Sequence, residues 1–435
     1  MKNVGYVLML DASGSMESAK DIVMVDAESF ASFSLAKDQA GILSFSNDAK
    51  WLCTGKGGAP ITFSSDLSEI ETVRDAIESG YKIYNMTNIA AAFTLGYPLY
   101  DRFTTEEKAF VLLSDGYHNY GSRKPEDVIR SGTPLYIAGL GPYFDEKNYK
   151  KIIEKDPGQV VIYKAPSPFQ MMLMFNEIRR DITVSELLIN DCEPYESGKH
   201  DIVRAFQVPS GQSMLQFGLT WSDKTLKYTD GAPDKGAFRV LLYGPDGKAH
   251  KIGSTIIGDG YCTFDIPNVE TGRWQAVIQY ASDRGDLGAT VGVMDRNPRI
   301  HIGVGTPSTA SERPQDLQVN VRDRNALPVE NATVSAVVTK YRQANEAERN
   351  AYMEAARNAD FSEVEASLSG SREPLSQKEV KLAHCGGGVY EYSAADMGLA
   401  AATADQNVAY IVKVTVEGES PETGASYSYS RIYTL

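Results

Sequence analysis

Through residue 183 the chain alternates short apolar runs with stretches whose apolar residues recur at helical spacing. Residues 4–10, 41–45, 109–114, 134–140 and 160–163 are apolar almost throughout, which predicts strands buried on both faces. Between them, residues 19–35, 66–80, 88–95, 125–131, 146–155 and 168–181 carry the helical period. In the second of these, Leu67, Ile70, Val73 and Ile77 share one face, Asp66 is placed as an N-cap and Gly80 as the terminator. Asp145 is placed as a further N-cap. Strands alternating with helices predict an α/β fold with a doubly wound, mostly parallel sheet covered on both sides. Residues 49–53 follow the second strand across Asn47-Asp48 and predict a short antiparallel hairpin at the sheet edge.

Beyond residue 184 a period of two takes over. Leu215, Phe217, Leu219 and Trp221 fall on one face, as do Phe238, Val240 and Leu242, and then Trp274, Ala276, Ile278 and Tyr280. Gly244-Pro-Asp-Gly247 has the residues of a reversal. This predicts a β-sandwich over 184–300. The segment 296–314, with Pro298, Pro307 and Pro314, has the composition of a linker. Alternation resumes at Leu317, Val319 and Val321, continues at Val334, Ala336 and Val338 and from Val408 to Val416, and closes with Tyr427, Tyr429, Arg431, Tyr433 and Leu435. A second sandwich, of immunoglobulin-like type, is expected over 301–435. It is interrupted at about 341–368, where Ala344, Ala347, Ala351, Tyr352, Ala355 and Ala359 recur at helical spacing. That insertion is expected to be a helix packed on its own sandwich, with a partner-docking surface as the alternative.

Composition then excludes several functions. Forty-three Lys and Arg stand against 57 Asp and Glu, a formal charge of -14 in 435 residues, with no basic stripe, which argues against nucleic acid as a partner. No apolar run approaches the ~18–20 residues of a membrane helix. The run behind Met1 stops at Asp11 without a small-residue cleavage site, and so reads as a strand rather than a signal peptide. Cys53, Cys192, Cys262 and Cys385 lie far apart, which fits neither a zinc ribbon nor a disulfide scaffold. The five histidines have no metal-ligand spacing, and neither HExxH nor GxSxG occurs. No catalytic residues are assigned, and the chain is expected not to be an enzyme.

The informative chemistry is Asp11-Ala-Ser13-Gly-Ser15 directly behind the first strand, with Gly14 placed as the residue that permits the bend. One carboxylate and two hydroxyls at alternate positions put three oxygen donors on one side of a turn. Asp115 ends another strand and precedes Gly116, and Thr87 opens the helix that begins at Asn88. In open α/β sheets ligands bind beyond the carboxyl ends of the strands, where these loops fall. Oxygen-only donors suit a hard divalent cation, Mg²⁺ or Ca²⁺, and disfavour zinc. His118, three residues past Asp115, is expected to be a plain surface loop residue, with a place bordering the site as the alternative.

In VLMLDASGSM, GILSFSNDA, TNIAAAF, VLLSDG and LYIAGLG, taken in that order over roughly residues 3–183, the sequence resembles the von Willebrand factor A (vWA) domain. The resemblance implies a Rossmann-like fold and a metal-ion-dependent adhesion site (MIDAS). By position, the ligands it implies are Asp11, Ser13, Ser15, Thr87 and Asp115. One departure is Asn85-Met86 ahead of Thr87, where many relatives have glycines. FGLTWSD at 217–223, VRDRNALPVENATVSAVV at 321–338 and GGGVYEY at 386–392 carry a looser resemblance to the non-protease part of calcium-activated chloride channel regulators and their bacterial relatives. Those relatives are typically secreted or surface-exposed.

The function expected from this reading is a metal-dependent adhesion or assembly module. Mg²⁺, with Ca²⁺ or Mn²⁺ as alternatives, is expected to capture a Glu or Asp of a partner protein. The rival readings are a scaffold subunit whose metal is only structural and, behind it, a metal-assisted hydrolase. The location expected is cytoplasmic if Met1 is the natural start, and extracellular or cell-surface if the chain is part of a larger secreted protein.

Overall fold

Strand β1 (Val4–Asp11) is buried along its whole length, because helices cover both faces of the sheet in which it is central. It pairs in parallel with β2 (Gln39–Phe45) on one side and β5 (Glu107–Ser114) on the other. From β5 the sheet continues in parallel through β6 (Leu135–Leu140) to β7 (Val160–Ala165). The expected edge hairpin is present: β3 (Ala49–Cys53) runs antiparallel to β2, and a two-residue strand missed in the sequence, β4 (Ile61–Thr62), also pairs with β2. The order β3-β2-β1-β5-β6-β7 reverses direction between β1 and β5, which opens a crevice at their carboxyl ends. This is the doubly wound, mostly parallel sheet that the pattern predicts.

The computed structural model of the protein describes residues 2–434 except 67, 145, 157, 212–213, 251, 254, 286, 305–315, 359–373 and 398–406. The expectations for Leu67, Asp145, Pro307, Pro314, Ala359 and Leu435 lie outside the described residues.

Alternate residues of β1 serve the two helical layers. Val7 and Met9 join Phe110, Leu112, Leu135 and Ile137 in a core closed by α3 (Ile89–Tyr100), α4 (Pro125–Val128) and α5 (Lys150–Lys155), through Phe93, Tyr97, Ile129 and Ile152. On the opposite side Tyr6 meets Phe30 of α1 (Lys20–Ser32) edge-on, and Phe30 meets Phe175 of α6 (Met171–Thr183). Gly96 is required in α3, because a Cβ there would lie 2.6 Å from the Phe110 ring. Helix α2 (Glu69–Gly80) buries Ile70, Val73 and Ile77 as expected, but its N-cap position is Ser68. The Asp66 carboxylate is occupied one turn earlier, accepting from the Ser64 hydroxyl at 2.6 Å and the Ser68 N–H at 3.3 Å.

Two compact units emerge: Met1–Thr183 with Tyr341–Pro374 and Asn407–Ala409, and Val184–Lys340 with Leu375–Gln406 and Tyr410–Leu435. In the second unit a nine-stranded sheet runs through both β-rich regions, because β24 (Ser426–Thr434) pairs with β8 (Glu186–Tyr195) at Ser430 and Leu187. Two four-stranded sheets accompany it. Trp221, fully buried on the long sheet, packs on Phe238 and Tyr280 of one of them. The Gly244–Gly247 reversal is closed by Gly247 N–H donating to Gly244 O at 3.0 Å, with Gly247 at φ 75°.

The inserted helix is present as α7 (Glu346–Asn358), but it belongs to the α/β unit and not to a sandwich. Its packed face is small, Tyr352 with Met353 partly buried beside it, and meets Tyr117 and Tyr143, while Ala347 and Ala351 are exposed.

Asp295 on the long sheet is buried, accepting from the Tyr429 hydroxyl at 2.8 Å and the Asn297 N–H at 3.0 Å, and burial pushes its carboxyl up to about 7. The unfolded chain releases this proton near the ordinary value of 3.8, so the folded state binds more protons between those limits. Its contribution to stability is therefore greatest at low pH and falls as pH rises towards about 7. Asp295→Asn is expected to raise the thermal midpoint at pH 8 by roughly 5 °C and to match the parent near pH 4. Calorimetric melts at the two pH values check this; equal differences at both would sink it.

Candidate metal centre

Asp11 is the last residue of β1 and is fully buried. Directly after it, Ala12 N–H donates to Phe45 O at 2.8 Å, which ties the loop to the end of the neighbouring strand. The chain then turns into a 3₁₀ helix, Gly14–Ala19, opened by Met16 N–H donating to Ser13 O at 3.0 Å. Gly14 is not among the positive-φ residues, so the bend expected to need a glycine is an ordinary 3₁₀ turn. Asp11 Oδ1 accepts from Ser13 N–H at 2.9 Å, and the Ser13 and Ser15 hydroxyls lie 3.0 Å apart. The Tyr81 hydroxyl donates to Asp11 O at 2.5 Å.

The end of β5 supplies the facing half. Ser114 donates its hydroxyl to Asp11 Oδ2 at 2.6 Å and accepts from Gly116 N–H at 3.0 Å, linking the two strand ends across the crevice. Gly116 has φ 105°, a conformation that a side chain would strain, and this allows the chain to double back after Asp115. Asp115 is buried and receives the Ser15 hydroxyl together with the Tyr352 hydroxyl of α7, the latter on Oδ2 at 2.6 Å. Its other oxygen, Oδ1, is buried with no hydrogen-bond partner.

Thr87 is buried on the third loop. Its N–H donates to Asn119 Oδ1 at 2.7 Å, and its carbonyl accepts from the N–H groups of Asn119 and Tyr120 at 3.0 and 3.2 Å, so it is pinned to the loop that follows Asp115. Where relatives of the resembled family have glycines, Met86 N–H is held by Asn47 Oδ1 at 3.0 Å. Asn88 caps α3, accepting from Ala91 N–H at 3.1 Å. His118 is half-buried and accepts from Ile89 N–H on Nδ1 at 3.2 Å; burial holds its pKa below the usual histidine value. It is thus committed to the first turn of α3.

Asp11, Ser13, Ser15 and Asp115 are joined by these bonds, and Thr87 is bonded to Asn119 on the loop that follows Asp115 rather than to any of the four. Burial, and then the neighbouring Asp115, push the Asp11 carboxyl up to about 7 against donation from Ser114 and Ser13. Asp115 is raised by burial too, against donation from Ser15 and Tyr352. Among the described residues no Lys or Arg forms a salt bridge with either carboxylate. Two buried acids side by side without a countercharge form an electrostatically incomplete site.

The donor set fits a hard divalent cation. Neighbouring oxygens in an octahedral Mg²⁺ shell stand about 3 Å apart, the spacing of the two serine hydroxyls. Asp115 Oδ1 is an unspent buried acceptor in the same place. No group of three or more His, Cys, Asp or Glu suited to a metal occurs among the described residues, so hydroxyls would have to complete the shell.

Ser114, Tyr81, Asn119 and Tyr352 are parts of the site that sequence reasoning missed. Ser114 precedes Asp115 in VLLSDG and carries no distinguishing pattern, while Tyr352 is 237 positions from its acceptor.

No family model matches the sequence, and no curated protein matches it. Solved structures match parts of it. A von Willebrand factor type A protein from Catenulispora acidiphila is 11% identical with a TM-score of 0.37, covering 74% of this chain and 63% of that one, so the chain spans less than two thirds of that protein's length. Proximal thread matrix protein 1 from the mussel byssus, with a zinc-occupied MIDAS motif, is 13% identical with a TM-score of 0.33, covering 45% and 50%. The vWF domain of the type V pili tip protein Mfa5 from Porphyromonas gingivalis is 10% identical with a TM-score of 0.31, covering 42% and 96%.

Ser114→Ala removes the donor to Asp11 Oδ2 and the acceptor for Gly116 N–H. It is expected to cost about 1–3 kcal/mol in urea unfolding without metal. A variant as stable as the parent would show that the bridge between the strand ends contributes nothing.

Proposed function

We propose that the α/β unit is a divalent-cation-dependent protein-binding module, with Asp11, Ser13, Ser15, Thr87 and Asp115 holding the cation. The observation that carries this reading is the pair of buried carboxylates at adjacent strand ends, bonded to hydroxyls and, among the described residues, in no salt bridge with Lys or Arg. A bound Mg²⁺, or Ca²⁺ or Mn²⁺ in its place, supplies a positive centre that attracts a further carboxylate from a partner. Ser114 and Ser13 N–H fix the Asp11 carboxylate, Asn119 fixes the Thr87 backbone, and Gly116 sets the direction in which the chain leaves Asp115. The partner is then a protein presenting Glu or Asp. An extracellular or surface setting suits such a role, and no helix among the described residues is long and apolar enough to cross a membrane.

A scaffold role, with the metal structural and unused by any partner, is the second reading. The near-complete burial of four of the five metal residues favours it. The hydrolase reading is weaker, because the Nδ1 of His118 is engaged by a backbone N–H and the site offers no other histidine.

A Ser13→Ala/Ser15→Ala double variant is expected to keep the parent's circular dichroism and to lose Mg²⁺ affinity by at least about tenfold in titration calorimetry. Unchanged affinity would overturn the site. A pull-down in Mg²⁺ against EDTA then separates the two binding classes: a partner retained only with metal supports the adhesion reading, and one retained equally in EDTA supports the scaffold.

A further inference from the structure

The metal residues are covered by a segment of the same chain. Asp11, Ser13, Thr87 and Asp115 are between 0% and 4% exposed, and only Ser15 is partly open. Helix α7 lies over the loops that follow β5 and β6. Its ring at Tyr352 stacks on Tyr143, centroids 4.2 Å apart and planes 6° from parallel, and sits 6.0 Å from Tyr117. Tyr117 donates its hydroxyl to Tyr143 O at 2.9 Å, joining the two loops beneath the helix. The approach to α7 is fixed as well, since Ala344 N–H donates to Pro142 O at 3.0 Å. Asn345 and Glu348 exchange bonds at 2.9 and 2.8 Å in a capping box, so the start of the helix is well defined by its own sequence. Tyr352 is 2% exposed, and its hydroxyl ends on Asp115.

We infer that α7 is an internal occupant of the metal face, closed by Tyr352, and that an acidic group from outside reaches the cation only when α7 has left. This rests on the metal-binding reading proposed above. A phenol hydroxyl is neutral and donates to Asp115, so it blocks approach without supplying the anion that the cation attracts. The helix meets this face through the Tyr352 ring, with Met353 partly buried beside it, and through the Tyr352 hydroxyl on Asp115, and a competing carboxylate displaces it by its preference for the open state. The occupant is then a switch on partner capture, with the closed state seen here and an open state selected by the partner's carboxylate.

Mn²⁺ is the probe of choice, because it reports both affinity and access. In titration calorimetry the full chain, Tyr352→Ala and Tyr352→Phe are all expected to bind Mn²⁺. Water-proton relaxation per bound Mn²⁺ is expected to be low and insensitive to acetate in the parent. In Tyr352→Ala it is expected to be at least about twofold higher and to fall when acetate is added. Tyr352→Phe keeps the stacked ring and should lie between them. Equal relaxation in the parent and Tyr352→Ala, with Mn²⁺ bound to both, overturns the inference and leaves the metal site standing. Absence of Mn²⁺ binding in all three proteins overturns the metal reading and the inference together. Should Tyr352→Ala lose its circular dichroism, Tyr352→Phe decides: relaxation equal to the parent's overturns the inference, and higher relaxation supports it.

Discussion

Two carboxylates buried beside each other set the terms for the whole α/β unit. Asp11 and Asp115 sit where the sheet order reverses, at the carboxyl ends of two adjacent parallel strands. Removing one such group from water is costly, and removing two in proximity costs more, because each disfavours the charge of the other. The surrounding polar groups answer that cost: Ser114 bridges the strand ends, Ser13 N–H and the serine hydroxyls supply donors, and Tyr352 takes one oxygen of Asp115. One acceptor is still left over, Asp115 Oδ1. Hydrogen bonds distribute the negative charge without cancelling it, so the pair is relieved by protonation, towards which Asp11 is pushed, or by a cation.

The same constraint gives meaning to the net charge of -14. An acidic surface repels an acidic partner at long range, and salt screens that repulsion beyond about 8–10 Å. A buried cation acts at short range, where screening is weak. Under the proposed function, partner capture through metal would depend on the site and not on overall attraction, and moderate salt would favour it by reducing the background repulsion.

Helix α7 shows how an insertion can acquire a role away from the strands that flank it in sequence. Its alanines have helical spacing, but Ala347 and Ala351 are exposed, and the apolar contact is Tyr352 with Met353 partly buried beside it, too small to make a core of its own. That ring is satisfied by an aromatic pair, Tyr117 and Tyr143, standing on the loops that follow β5 and β6. Packing thus brings a hydroxyl to a carboxylate, and in the inferred switch access to the site is coupled to whether this contact holds.

Periodicity in the sequence was sufficient for the longer strands and helices of the α/β unit, though not for the two-residue β4, because a strand buried on both faces must be apolar throughout and a covering helix must be apolar on one side. The oxygen groups at Asp11–Ser15, Thr87 and Asp115 were legible too, since residue types and places behind strands are local properties, while their use as metal ligands is a proposal. Local pattern was insufficient elsewhere. It placed the α2 cap at Asp66, whereas the cap position is Ser68, and it used Gly14 to permit a bend that the structure makes as an ordinary 3₁₀ turn. It had no means of pairing β24 with β8 or of bringing Tyr352 to Asp115, because both depend on contacts between segments more than two hundred residues apart. The sequence by itself determined the elements and the chemistry of the oxygen donors. Only the tertiary structure decided that the two acids are buried together and that a distant helix covers them, since burial and proximity are properties of packing that no local spacing encodes.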